Sequence, residues 1–89
     1  GNDTPSSALK KFNSQLMKMA IDALYEQDVL EREISSNIFC LNKNDLPLFK
    51  ERMRTFREDV EVLASKASQK DAVYCLSMQL FNVEKNVMQ

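Results

Sequence analysis

The side chains best equipped for chemistry in this chain are cations, Lys50, Arg54 and Arg57. At 100° per residue on a helix they fall within about 60° of one another, a grouping that could grip phosphates or an acidic partner. Glu58 and Glu61 follow Arg54 and Arg57 at i+4. The same spacing therefore also describes a solvated flank of ion pairs, each worth ~0.3–0.5 kcal/mol. These three residues are a candidate anion-binding site, with the solvated flank as the plain alternative. Reaction chemistry has less to build on. None of the 89 residues is histidine, so the commonest general base and metal ligand is missing. Gly1 is the sole glycine, and no glycine-rich loop exists to cradle a phosphate. Two cysteines, Cys40 and Cys75, do not make a zinc site without histidine or further thiols. No catalytic, metal-binding or cofactor-binding residue is assigned, no cofactor is implied, and the chain is expected not to be an enzyme.

A second group of residues could make a surface. From Asp71 to Val83 the sequence reads as a strand, with Tyr74, Leu76, Met78 and Leu80 alternating onto one face. The other face would carry Val73, Cys75 and Phe81 beside Ser77 and Gln79, too apolar to be left in water. Burial at ~25 cal/mol per Å² would favour a partner there. Leu48 and Val62 interrupt the otherwise polar back of a helix and join Val73, Cys75 and Phe81 as candidate interface residues.

The elements that would position these residues follow from periodicity. A polar segment with Pro5 opens the chain, and Ser6 or Ser7 can cap a helix running to about Gln27. Its stripe is Leu9, Phe12, Leu16, Met19, Ala20, Ala23 and Leu24, which Met17 and Ile21 widen towards burial on more than one side. Arg32–Leu41 reads as a first strand, covered on both faces over its second half. Asn44 can cap a second helix with Pro47 in its first turn, ending near Ser68. Leu46, Phe49, Met53, Phe56, Val60, Leu63 and Ala67 give that helix an unbroken stripe at alternating three and four. The fold expected is α+β, a small α-β-α-β domain with two helices on one face of a small sheet. A helical crossover between strands makes them parallel. Two strands alone leave open edges, so the sheet is expected to be extended or covered by a second copy.

Bulk properties set limits. The length suits one small domain, read as residues 6–84 between a segment 1–5 and a tail 85–89. Apolar residues at 44% and charged residues at 28% are a globular balance, which argues against disorder. A net charge of −1 provides no general attraction to nucleic acid or anionic membrane. No run of ~18 apolar residues and no signal-peptide pattern is present, so membrane partners are not expected. Two cysteines in strand-like runs suggest buried free thiols in a reducing cytoplasm. The leading Gly1 suggests a cloning remnant ahead of a fragment of a longer protein.

Ala72 to Phe81, AVYCLSMQLF, resembles the C-terminal signature of a family of uncharacterised bacterial proteins, a Val-Tyr-x-Leu-x-x-Gln-Leu-Phe pattern. Val73, Tyr74, Leu76, Gln79, Leu80 and Phe81 match it; Asn82 stands where the family usually has proline. Arg32-Glu33-Ile34-Ser35-Ser36 is similar to the family's Arg-x-Ile-Ser-Ser opening, and Phe56-Arg57 falls in a helix like the intervening one. The likeness runs from about Phe12 to Glu84. Full-length members resemble transcriptional regulators, with a helix-turn-helix segment ahead of a domain like this one. The resemblance thus implies a C-terminal regulatory or dimerisation domain, cytoplasmic, with DNA contacted through a segment absent from this chain. It carries over no catalytic residues. The expected partner is a second copy, as paired DNA-reading heads require. The alternatives are a small-molecule sensor lined by Met19, Met53 or Met78, and a protein-docking module unrelated to DNA.

Overall fold

The computed structural model describes residues 6–85. The expectations for residues 1–5 and for the end of the tail, 86–89, lie outside the described residues. Two helices dominate: α1, Ser7–Glu26, and α2, Leu46–Ser65. Three short 3₁₀ turns accompany them, at Val29–Glu31, Lys43–Asp45 and Val83–Lys85. The chain divides into two compact units, Gly1–Cys40 with α1 and Leu41–Gln89 with α2.

In the first unit, α1 begins because Ser6 leaves the helix in an extended conformation and its Oγ accepts from the Leu9 amide at 3.3 Å. That bond satisfies one of the donors a helix start leaves without a partner. The helix then runs through Lys, Gln, Leu, Met and Ala, all good helix formers, with no Gly or Pro to interrupt it. It stops at Gln27, whose backbone turns extended while its N–H still donates to the Ala23 carbonyl at 3.0 Å. Arg32 completes this end: its Nε donates to the Gln27 carbonyl at 3.2 Å, and it is half-buried. A cation is favoured there, at the negative pole of the helix.

The second unit opens on a different device. Asn42, not Asn44, caps the start; its Oδ1 accepts from the Asn44 amide at 2.8 Å. The resulting 3₁₀ turn, Lys43–Asp45, feeds directly into α2, and the Leu46 N–H donates to the Lys43 carbonyl. Asp45 precedes α2 in helical conformation without capping it, and Pro47 lies in the first turn. The helix ends at Ser65, three residues before the position expected from the stripe. Ser65 Oγ donates back to the Val62 carbonyl at 2.7 Å, and the Ala67 N–H reaches the Ala64 carbonyl at 3.3 Å.

The expected sheet is not there. Among the described residues neither Arg32–Leu41 nor Asp71–Val83 contains a strand, and the fold is helical rather than α+β. The parallel pairing, the α-β-α-β order and the sheet for a second copy to extend all fall with it. Alternating apolar residues tell which way side chains would point if a segment were paired. They do not supply the neighbouring backbone that makes it a strand. The alternation is not satisfied by burial either, since Ile38 is 86% and Val73 101% exposed. The chain after Asn82 turns into Val83–Lys85 because Asn82 Oδ1 accepts from the Glu84 amide at 3.0 Å.

Candidate functional site

The cationic group lies where helix geometry puts it. Lys50, Arg54 and Arg57 are exposed on one flank of α2. Glu61 projects into the middle of the same flank, at about 60° on a wheel where the cations span about 20–80°. Lys50 also has a partner of its own within the chain. The patch is thus a mixed surface with an acid at its centre, and its electrostatic pull on an anion is correspondingly reduced.

The cysteines differ from expectation. Cys40 and Cys75 are free thiols, as read, but both are exposed rather than buried. The strand faces that were to bury them do not form. Val73, Cys75 and Phe81 consequently do not share one face of a sheet; they are exposed positions on the irregular segment that follows α2. Leu48 and Val62 are also exposed, on the back of α2, separated by about 40° around the helix. Of the five candidate interface residues, the structure groups only this pair on one element.

A broader surface emerges from the helices themselves. No described residue is buried. On α2 the half-buried positions are Phe49, Met53 and Val60, the centre of the predicted stripe within about 40°. Its edge stays open, with Phe56 51% and Leu63 70% exposed. On α1 only Leu16 and Ala23 are half-buried, again the centre of the stripe. Beside that stripe runs a second apolar line, Met17, Ile21 and Leu24, which is exposed. Together the two lines make α1 apolar over about 200° of its circumference, roughly twice the stripe a helix needs to pack on one layer.

Sequence reading assigned Phe56 and Leu63 to the core and treated Met17 and Ile21 as a widening of the stripe. The structure makes all four part of an open surface. Their position at stripe edges, rather than their residue type, is the signal that separates them from Phe49, Met53 and Leu16. Among the described residues no helix is long and apolar enough to cross a membrane, so this apolar surface is not that of a membrane-spanning helix.

A family model described as "Domain of unknown function (DUF4423)" matches residues 1–83. No match was found among curated proteins or among solved structures.

Proposed function

Since this chain belongs to the DUF4423 family, we propose that its role is carried by surface rather than by a reaction centre: a non-enzymatic regulatory domain that forms a homodimer. The observation that carries this reading is the apolar surface left open on both helices while no described residue is buried. Homodimer interfaces that bury several thousand Å² are common where folding and association go together.

In this reading the domain acts within a longer cytoplasmic protein, following the likeness to helix-turn-helix regulators. It pairs two chains so that DNA-reading segments, outside these residues, meet two half-sites in register. The fragment itself is not proposed to bind DNA. Sedimentation of the chain over a hundredfold concentration range tests the association. Dimer at micromolar concentration is expected, and a strict monomer at the highest concentration overturns the reading.

A further inference from the structure

One flank of α2 carries a row of charges that its own helix does not pair. Asp45, Arg52, Asp59 and Lys66 follow one another at a spacing of seven and alternate in sign. All four are exposed. Asp45 and Lys66, at the two ends, keep helical backbone conformation, so the row runs the full length of the helix. It occupies about 60° of the helical wheel and adjoins the apolar stripe at its Leu63 edge. Ion pairs along a helix form between residues three or four apart, and none of these four has an opposite charge at either distance. The other flank differs, since Arg54 and Arg57 have Glu58 and Glu61 at i+4.

The order minus, plus, minus, plus becomes its own complement when the helix is reversed. Beside an antiparallel copy, Asp45 falls opposite Lys66 of the second chain, and Arg52 opposite its Asp59. The two-fold repeats both, giving contacts of opposite sign along the whole row. Charges in this position beside a heptad seam set the choice and orientation of the partner helix. The same two-fold, passing near residue 55, sets Leu46 against Leu63, Phe49 against Val60 and Met53 against Phe56. Phe56 and Leu63, the open edge of the stripe, gain cover in this arrangement. Its cost lies on the other flank, where Lys50 meets Arg57 of the second copy; Glu61 lies among those cations and offsets part of it. A parallel pair is worse, because it matches only Asp45 with Lys50 and sets Arg52 against Arg57.

We infer that α2 pairs antiparallel with α2 of a second copy, through the Leu46–Leu63 stripe, with Asp45, Arg52, Asp59 and Lys66 fixing the direction. A surface that matches itself under a two-fold operation is what a homodimer interface requires. The inference rests on the association role proposed above and names its surface.

Charge reversal decides it. In full chains, Arg52→Asp and Asp59→Arg are made separately. Each turns both 52-to-59 contacts of its own dimer into contacts of like sign, and should weaken association about tenfold in sedimentation. Helix content by circular dichroism should hold, because both residues are exposed. Mixing the two variants restores both contacts, so a mixed dimer of nearly native affinity is expected, and the double variant should recover in the same way. Leu63→Glu, at an exposed apolar position, should also weaken association about tenfold. A dimer indifferent to both reversals, or variants that associate no better mixed than alone, overturns the α2 pairing and leaves the association role standing. A strict monomer of the unsubstituted chain overturns both.

Discussion

Arg32 illustrates how much a single side chain can organise in a chain with so little burial. It opens the Arg-x-Ile-Ser-Ser segment that the sequence reading took for a strand start. In the structure it closes α1 instead, donating from Nε to the Gln27 carbonyl across the turn at Val29–Glu31. A guanidinium does this well because its donors are held in a rigid plane and its charge suits a helix C-terminus. Arg32→Met is expected to lower stability by about 1 kcal/mol and to raise amide exchange at residues 23–27, with less effect from Arg32→Lys. Unchanged exchange there would remove Arg32 from the capping role. Asp28, Asn42 and Asn82 share a simpler device. Each accepts from the amide two residues ahead and opens a three-residue 3₁₀ turn.

At the scale of elements, the two helices divide their apolar residues into a covered centre and an open edge. Met53 sits in the centre of the α2 stripe and is half-buried, whereas Phe56, one turn on, is half-exposed. Met53→Ala should therefore destabilise the dissociated chain by about 1 kcal/mol, and Phe56→Ala by less, because less apolar area leaves the protein interior. Dilution to below the association range followed by denaturant unfolding measures this order. A larger loss from Phe56→Ala in the dissociated chain would mean the edge is packed within a single copy. The cations of α2 belong to the same scale. With Glu61 among them, replacing Lys50, Arg54 and Arg57 together by Ala is expected to change sedimentation little, and a large loss of association would promote that flank to an interface.

For the whole molecule, the exposed apolar area predicts that stability depends on concentration. Anything that binds the folded chain and not the unfolded one raises its apparent stability by mass action, and a second copy is no exception. The thermal midpoint should rise by several degrees for each tenfold increase in protein concentration; a midpoint independent of concentration would argue for a chain that is stable alone. An intermediate exposure of Phe49, Met53, Val60, Leu16 and Ala23 marks where each helix already has some cover. The rest of their apolar arcs is where association would add to it.

The helices, the cap of α1 and the centres of their stripes were legible in the residues alone, whereas the cap expected at Asn44 is instead Asn42, at the start of the turn that leads into α2. Ser6 caps α1, Pro47 falls in the first turn of α2, and Leu16 and Met53 lie where the periodicity put them. The reason is distance along the chain. A helix closes each hydrogen bond within four residues, so nearby side chains largely decide whether it forms and where it begins. Arg32–Leu41 and Asp71–Val83 show the opposite case. Their alternation was read correctly as a pattern and wrongly as a structure, because a strand needs a second backbone that the segment does not contain. Only the tertiary structure could decide that these segments stay outside any sheet, that Cys40 and Cys75 are exposed, and that Met17, Ile21 and Leu24 remain open. Periodicity shows which residues seek cover; what covers them depends on chains and segments far away in sequence or in another molecule.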